Sequence, residues 1–232
     1  MEKSKFEGFI NRYSLAGEIE SVIINSEPDT LSVRMISDDK SLLGSVSMEN
    51  KSFPEGRFGV YTTSQLKLLL SVLDNDITVN ATEHSLKFND NGTRVNYMLA
   101  QESVIPKVPE TKRLPDFNIE VKLNSDFISK FIKSKGALAE ADSFTFTAKG
   151  GQAQIILGYS TSNSNMISLD VESNVEDDVK PISFSAKYLK NILLANKESS
   201  DAVLGISTEG LAHVKFDDGT YKSEYYLMEV GQ

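Results

Sequence analysis

Residues 6–24 read FEGFINRYSLAGEIESVII, and residues 128–146 read ISKFIKSKGALAEADSFTF. The two stretches share one pattern of apolar and polar positions at an offset of 122 residues, so that Phe9 coincides with Phe131. In both, aromatic and aliphatic residues recur three and four positions apart, which indicates a helix, and a run typical of a strand follows. A pattern repeated at this spacing predicts that the chain is an internal duplication.

A second pair of matching stretches lies later in each half. Residues 61–70 read YTTSQLKLLL and residues 184–193 read FSAKYLKNIL, at an offset of 123 residues. Both place an apolar stripe on one side of a helix, behind residues that can cap its first turn. Four helices are therefore predicted, at about residues 2–15, 62–73, 124–137 and 185–197. The predicted N-caps are Thr62 or Thr63 for the second helix, Asn124 or Ser125 for the third, and Ser185 for the fourth.

Short alternating or β-branched runs, bounded by turn residues, fill most of the remaining chain and predict antiparallel strands. Asn91-Gly92, Gly150-Gly151 and Asp218-Gly219 are hairpin signals, because these residues tolerate a positive φ. Each half thus follows the order helix, strands, helix, strands over about 115 residues, and the predicted fold class is α+β. Examples of the predicted strands lie at residues 20–24, 31–36, 76–80, 93–100, 117–123, 144–148, 154–158, 166–171, 202–207, 212–216 and 221–228.

The two halves are separated by residues 103–116, SVIPKVPETKRLPD, which hold three of the six prolines in the chain. Proline cannot donate a hydrogen bond to a sheet ladder, so this stretch is predicted to be an extended connector. The predicted organisation is an N-terminal domain over residues 1–103, an interdomain connector over 104–116 and a C-terminal domain over 117–232.

The composition of the 232 residues excludes several classes of protein. There is no cysteine, which removes disulfide frameworks, thiolate zinc sites and cysteine nucleophiles. No apolar run approaches the length of about 20 residues that a membrane span needs, and residues 1–18 lack the apolar block of a signal peptide. A cytoplasmic protein without a membrane partner is therefore expected. The net charge of −9 argues against a simple basic nucleic-acid binder.

The charge is unevenly divided between the predicted helices and the rest of the chain. The four helices hold ten basic and three acidic residues, whereas the remainder holds 14 basic and 30 acidic ones. The basic residues lie off the apolar stripes, so each helix is expected to present a basic side to water. Lysines whose only role is to solvate a helix would explain one such face. Four basic helix faces in one chain favour contact with the phosphates of a polyanion. The residues expected to face DNA are Lys3, Lys5, Arg12, Lys67, Lys130, Lys133, Lys187, Lys190 and Lys197.

Together, these features resemble the DNA sliding clamps of the proliferating cell nuclear antigen (PCNA) type. The resemblance rests on the two repeats, the basic helices, the connector that begins at Val104-Ile105-Pro106, and the last strand YKSEYYLMEV with its Tyr225-Tyr226-Leu227. The chain length and residues 58–80, FGVYTTSQLKLLLSVLDNDITVN, are most similar to the clamps of T4-like bacteriophages. The sequence departs from the PCNA pattern after Leu227, where it has neither a proline nor an acidic tail.

The resemblance implies a ring with two repeated clamp domains per chain, with antiparallel sheets outside and four short helices inside. Such clamps encircle duplex DNA as a homotrimer and are opened by a clamp loader ATPase. They tether the replicative DNA polymerase, so that it does not dissociate between nucleotides. They hold DNA topologically, without a cofactor, and are not enzymes. If the source is a virus, the protein is expected in the cytoplasm of the host cell.

The resemblance also implies two kinds of protein-binding surface. Edge strands at about Arg94–Ala100 and Asn165–Val171 are expected to pair between neighbouring copies. Partner peptides are expected to dock in an apolar pocket between the connector and the C-terminal strand. The candidate residues of this pocket are Val104, Ile105, Val108, Tyr226 and Met228.

No residue pattern in the chain predicts a catalytic or metal site. His84 and His213 have no motif around them and are interpreted as structural residues. The acidic run within residues 172–178 lacks the spacing and the glycine of an EF-hand, and it predicts a solvated loop. Two alternative functions remain: a monomeric DNA polymerase accessory protein with one open basic face, and a structural β-rich virion protein. A hydrolase is the least favoured class.

Overall fold

A computed structural model describes residues 1–74, 76–110, 113–160, 165–199 and 201–231. The chain divides into two compact units. The first unit consists of Met1–Asp38, Leu43–Pro109 and Asp217–Ser223. The second unit consists of Asp39–Leu42, Glu110–Phe216 and Glu224–Gln232.

The first unit contains helices α1 (Lys3–Ser14) and α2 (Thr63–Leu70) among its described residues. Its strands pair in the order β4-β1-β2-β3 and, in a second sheet, in the order β5-β6-β7, and every pairing between them is antiparallel. These strands are β1 (Val22–Ser26), β2 (Thr30–Ile36), β3 (Leu42–Glu49), β4 (Gly56–Val60), β5 (Thr78–Ala81), β6 (Ser85–Asn89) and β7 (Arg94–Met98).

The second unit contains helices α3 (Ser125–Ala137) and α4 (Ala186–Ala195) among its described residues. Its strands follow the orders β12-β9-β10-β11 and β15-β14-β13-β8. These strands are β8 (Ile119–Asn124), β9 (Ser143–Lys149), β10 (Gln152–Leu157), β11 (Ile167–Val171), β12 (Val179–Ser185), β13 (Asp201–Ser207), β14 (Leu211–Asp217) and β15 (Tyr221–Met228).

The strand orders confirm the predicted duplication. The four strands after α1 pair in the order 4-1-2-3, and the four strands after α3 pair in the same order as β12-β9-β10-β11. Just before α3, β8 pairs with β13, and just before α1, Glu2 forms an antiparallel bridge with Asp76 near β5. Both halves therefore fold on one plan, and the predicted α+β class is confirmed.

The helices bury the apolar stripes that their sequences predict. In the first unit, Phe6 and Phe9 of α1 are fully buried, and the Phe6 ring lies 5.3 Å from Phe53. In the second unit, the Phe131 ring of α3 lies edge-on to Phe144 of β9 at 5.8 Å. Each such aromatic side chain stabilises the fold by about 1.5–3 kcal/mol on burial. The opposite side of each helix remains available for charged residues.

Four strands lie outside the ranges predicted from the sequence, and for one of them the physical reason is clear. They are β3, β4, β6 and β12, and β12 contains Pro181, which normally argues against a strand. Here β12 is the edge strand of its sheet, and its pairing with β9 shifts register between Val179 and Ile182. A bulge at a sheet edge accommodates the missing N–H of proline.

The two predicted edge strands are found at sheet edges within the described residues. Strand β7 ends the order β5-β6-β7 in the first unit, and β11 ends the order β12-β9-β10-β11 in the second. Among the strands that the structure describes, each therefore has one side of its backbone without a ladder partner in its own sheet. No helix in the described part of the chain has the length and apolar character needed to cross a bilayer.

Candidate nucleic-acid interface

Lys3 and Lys5 lie in the first turn of α1, and they differ in how far they reach solvent. The Lys5 side chain is 49% exposed and pairs with Glu2 at 3.0 Å. The Lys3 side chain is only 15% exposed, and its Nζ donates to the Leu73 carbonyl oxygen at 2.5 Å. Lys3 therefore fixes the segment that follows α2 in the first unit, whereas Lys5 remains accessible to a ligand.

Arg12 is not on the solvent-facing side of α1, and the expectation that it lies on an exposed basic surface is wrong. The residue is 4% exposed, and its Nη2 donates to the Asp218 carboxylate at 2.8 Å. Its guanidinium carbon lies 3.8 Å from the centre of the Tyr221 ring, a cation–π contact. The missing side chain at Gly8 leaves room for Tyr221, whose hydroxyl donates to the Lys5 carbonyl. Arg12 thus fixes the Asp217–Ser223 turn in the first unit.

Lys67 of α2 is half-buried and faces a mixed electrostatic environment. It lines a cavity of about 610 Å³ between α1 and α2, together with the carboxylates of Glu7 and Glu20. On this side of the first unit, the positive field of Lys67 is therefore weakened by nearby acids. Lys5 is the more accessible cation of the two.

In the second unit, Lys130 and Lys133 of α3 are both exposed. Lys130 pairs with Asp126 one turn earlier at 2.8 Å, and its side chain is 62% exposed. Lys133 has no ion-pair partner among the described residues. Because exposed pairs of the Lys130 type are weak, both ammonium groups can be reached by a solvent-borne anion.

The remaining predicted cations lie on or just after α4. Lys187 is exposed and its Nζ lies 5.9 Å from the centre of the Tyr188 ring, whereas Lys190 is half-buried. Lys197 is exposed, but it follows the end of α4 at Ala195 and belongs to the turn beyond it. The second unit therefore presents Lys130, Lys133 and Lys187 as its most exposed helical cations.

Not every lysine of α3 contributes to this surface. Lys135 is 9% exposed, and its Nζ donates to the Ala139 carbonyl at 2.7 Å, just beyond the end of the helix. A cation at this position also interacts favourably with the negative end of the helix dipole. One of the basic residues of α3, Lys135, thus stabilises the end of the helix and is not exposed to a ligand.

The helix starts are fixed by side chains that the sequence predicts only in part. Asn124 and Ser185 accept hydrogen bonds from the backbone of Phe127 and Tyr188, so these predicted caps are confirmed. At α2, the Thr62 side chain makes no cap hydrogen bond within the described part of the chain. The Glu20 carboxylate instead accepts from the Ser64 N–H at 2.9 Å. This cap lies 44 residues earlier in the chain, so no local pattern indicates it.

The connector residues of the predicted pocket lie in the first unit and differ in exposure. Ile105 is 4% exposed, Val108 is half-buried and Val104 is 56% exposed. Ile105 and Val108 line a cleft of about 430 Å³ that also contains Arg57 and Glu102. Two hydrogen bonds, at 2.8 and 2.9 Å, join this arginine and carboxylate, and they lower the pKa of Glu102.

Tyr226 and Met228, the other two pocket residues, lie in the second unit. The Tyr226 ring stacks on His213 at 4.7 Å and lies 6.4 Å from Phe117. Partial burial and the adjacent Glu224 carboxylate raise the pKa of Tyr226 to about 12. Met228 is 50% exposed. An aromatic cluster thus surrounds Tyr226, and the pocket that would join it to the connector remains a proposal.

The two histidines lie in different surroundings. His84 is on the surface, 3.9 Å from Glu83, and its side chain is 76% exposed. His213 Nε2 lies 2.8 Å from Glu224 Oε1 within the aromatic cluster. Among the described residues, no group of three or more potential metal ligands was found.

Comparisons with known proteins give the fold but no sequence family. No family model matches the chain, and no curated protein matches it. Among solved structures, the chain is similar to the Proliferating Cellular Nuclear Antigen of Entamoeba histolytica, with a TM-score of 0.73 and 16% sequence identity. That match covers 100% of this chain and 97% of the other. With its antiparallel sheets and helices, the chain therefore has the fold of a PCNA-like sliding clamp.

Proposed function

We propose that the protein is a sliding clamp that encircles duplex DNA and tethers the replicative DNA polymerase as a processivity factor. The observation that carries this proposal is the PCNA-like fold over the whole chain, combined with exposed lysines on the helices of both units. A chain with a net charge of −9 would otherwise be repelled by DNA, so a local basic surface favours a specific role for these helices.

The exposed cations suit contact with the DNA backbone rather than with bases. Lysine ammonium groups are flexible point charges, and they attract phosphates without reading sequence. A clamp that moves along DNA needs weak contacts of this kind, since each contact must be released as the next forms. The proposed mechanism is therefore topological, with no chemical step in the clamp.

A homotrimeric ring is proposed as the working assembly. Six domains would come from three copies of a two-domain chain, joined head to tail around a closed axis. The free edges of β7 and β11 support this, because each could add the strand of a neighbouring copy. Three large apolar side chains on or near α2 and β7 are exposed and would be covered in such an interface. They are Leu68, Val72 and Met98.

The clamp loader and the polymerase are the two proposed protein partners. A clamp loader ATPase would open the ring, and the loader and the polymerase would bind at Val104, Ile105, Val108, Tyr226 and Met228. Val104 and Met228 expose apolar side chains at this surface. Exposed apolar side chains of this kind support a site that a partner covers. The proposed source is a T4-like bacteriophage, so the clamp would act in the cytoplasm of the host cell.

The first test measures assembly and topology. Light scattering on the purified protein should give about three times the chain mass of 25.6 kDa. Protein loaded by its clamp loader should stay on closed circular DNA and be lost from the same DNA after linearisation. A strictly monomeric protein would favour an accessory protein with one open basic face. Equal retention on both DNA forms would contradict the topological mechanism.

The second test reverses charge on α3. Replacing Lys130→Glu together with Lys133→Glu should impair loading and processive synthesis while the trimer mass is unchanged. Lys149→Glu with Lys180→Glu is the matched control, because both lysines are exposed strand residues of the same unit. Equal loss in the two double variants would show a general charge effect and would contradict a DNA-facing α3. A virion protein would instead co-purify with particles and would not stimulate a polymerase.

A further inference from the structure

The turn between β6 and β7 holds the one Asn-Gly pair in the chain, at Asn91-Gly92. The Asp90 N–H donates to the Thr93 carbonyl at 3.1 Å and closes this turn. Both residues of the pair are exposed, and a Cβ at Gly92 would meet no atom of the described chain within 4 Å. Because glycine has no side chain, its backbone nitrogen can closely approach the asparagine side chain before it.

The Asn91 side chain has no hydrogen-bond partner in the described part of the chain. Asn25, another asparagine of the first unit, lies in the paired strand β1, and its Oδ1 accepts from Arg57 Nη1 at 2.7 Å. Asparagine is a thermolabile residue, because the backbone nitrogen of the next residue can attack its side-chain carbonyl carbon. The attack requires the side chain to rotate towards that nitrogen, which Asn91 can do and Asn25 cannot.

Asp90 places a carboxylate beside the nitrogen that would attack. Its Oδ1 accepts from the Gly92 N–H at 3.1 Å and from the Thr93 N–H at 2.7 Å, and its Oδ2 accepts from the Asp74 N–H at 2.7 Å. These hydrogen bonds, above all the one from Asp74, lower the pKa of Asp90, so the carboxylate is ionised at neutral pH. An ionised carboxylate within hydrogen-bond distance of an N–H group can accept its proton as a general base.

The matching turn of the second repeat differs at the position of the asparagine. Residues 86–93 read LKFNDNGT and residues 214–220 read VKFDDGT, so that Asp218 takes the place of Asn91. There too the glycine N–H donates to the carboxylate two residues earlier, at 3.1 Å. The Asp218 side chain is only 18% exposed and pairs with Arg12 at 2.8 Å. A carboxylate in an ion pair loses an oxygen far less readily than an amide loses ammonia, so this turn should remain unmodified.

We propose that Asn91 is a site of spontaneous deamidation, with Asp90 as the general base. The Gly92 nitrogen forms a bond to the Asn91 side-chain carbonyl carbon while its proton passes to Asp90. The bond from that carbon to the side-chain nitrogen then breaks, and Asp90 returns the proton so that ammonia leaves. The resulting cyclic imide takes up water, which opens it to aspartate or isoaspartate. The proposal goes beyond the proposed function, since the reaction needs neither a ring nor a partner.

Both products would alter the turn. Aspartate would place a second carboxylate directly after Asp90, and isoaspartate would add a methylene group to the main chain just before β7. The hydrogen bonds that Asp90 accepts from Gly92, Thr93 and Asp74 depend on the present path of the backbone. The modified protein should therefore melt at a lower temperature than the unmodified one.

Peptide mapping by mass spectrometry tests the proposal on the full chain after several weeks at neutral pH. The peptide that contains Asn91 should gain the mass difference between an amide and a carboxylic acid. An isoaspartate-specific methyltransferase should label the same peptide, whereas Asn25 should stay unchanged. Modification of Asn91 no faster than that of Asn25 would overturn the proposal. Aspartate formed without any isoaspartate would indicate direct hydrolysis by water and would contradict attack by Gly92.

Substitutions in the turn test the roles of the nitrogen and the base. Gly92→Ala should slow deamidation by about tenfold, because the added Cβ crowds the attacking nitrogen but contacts nothing else in the described fold. Asp90→Asn retains an acceptor for the two turn N–H groups but removes the base, so it should also slow the reaction by about tenfold. Asp217→Asn is the matched control, because Asp217 is exposed and holds the corresponding position of the second repeat.

The outcomes of these variants separate a chemical role of Asp90 from a structural one. A rate that is unchanged or faster in Asp90→Asn would show that Asp90 only restrains the turn, and it would contradict the general base. An equal slowing in Asp217→Asn would show that the effect is not specific to this turn. If Asp90→Asn melts early, Asp90→Ser provides a second variant, since serine also accepts hydrogen bonds in such turns and is not a base at neutral pH. None of these assays uses DNA or a clamp loader, so the proposal can fail while the clamp function stands.

Discussion

Replacing Arg12 provides the sharpest test of how the first unit uses its basic charge. The ion pair between Arg12 Nη2 and Asp218 Oδ2 is 2.8 Å long, and the two side chains are 5% and 18% exposed. Arg12→Met retains an apolar stem against Tyr221 but removes the charge. Breaking one side of a buried pair costs about 3–5 kcal/mol. Asp218 Oδ1 keeps backbone hydrogen bonds from Thr220 and Tyr221, so we expect a loss near the lower end, about 3 kcal/mol.

The assay is urea unfolding followed by circular dichroism, with the free energy of unfolding extrapolated to zero urea. Asp218→Asn and the double variant complete a cycle, and the coupling between Arg12 and Asp218 should be about 1–2 kcal/mol. Lys5→Gln is the control on the same helix. Lys5 is half exposed, so its replacement should change stability by less than about 0.5 kcal/mol.

DNA retention separates this structural role from the one that the sequence predicts. At a temperature where Arg12→Met is fully folded, its retention on circular DNA should equal that of the wild type. An Arg12→Met variant of unchanged stability that binds DNA as weakly as the double variant Lys130→Glu with Lys133→Glu would contradict the structural role of Arg12. That result would place the Arg12 guanidinium in solvent and in reach of phosphates.

Three more predictions concern single residues. Gly59→Ala should destabilise the protein by about 1–3 kcal/mol, because its Cβ would clash with the Ala100 carbonyl oxygen, whereas Gly92→Ala, with open space around it, should not. Thermal melting of the two variants checks this. Because the pKa of Tyr226 is raised to about 12, stability should fall as pH rises from about 10 towards 12, and Tyr226→Phe should reduce that fall in urea unfolding. Asn124→Ala should cost about 1 kcal/mol through loss of the α3 cap, as measured by urea unfolding.

The local features of the fold could be predicted from the sequence because short-range physics determines them. The spacing of Phe127 and Phe131 specifies one buried side of α3, and Asn124 caps it from within the same segment. Strand β15 was predicted at its observed bounds, since its buried and exposed positions alternate along its length. The duplication was visible for the same reason, as both halves repeat these local patterns.

Contacts between residues far apart in the chain explain the features that could not be predicted from the sequence. Helical geometry places Arg12 off the apolar stripe of α1. Residues off such a stripe usually face solvent. The turn that covers it comes from more than 200 residues later, and the nearby Gly8 was the one local sign of a close contact. The cleft beside the connector has the same character, because Arg34, Arg57 and Glu102 meet only after β1, β2 and β4 have paired.

The division of basic charge between structure and surface bears on how the proposed clamp would hold DNA. Arg12, Lys3 and Lys135 donate to protein acceptors, and Lys130 shares its charge with Asp126. The charge that remains for phosphates is therefore smaller than a count along the helices indicates, and it is carried on exposed, mobile side chains. Affinity for DNA rises with the number of phosphates that are neutralised, and a ring with many tight contacts would resist movement. If topology retains the ring, strong binding is unnecessary, so the helices can give several cations to the fold without loss of the proposed function.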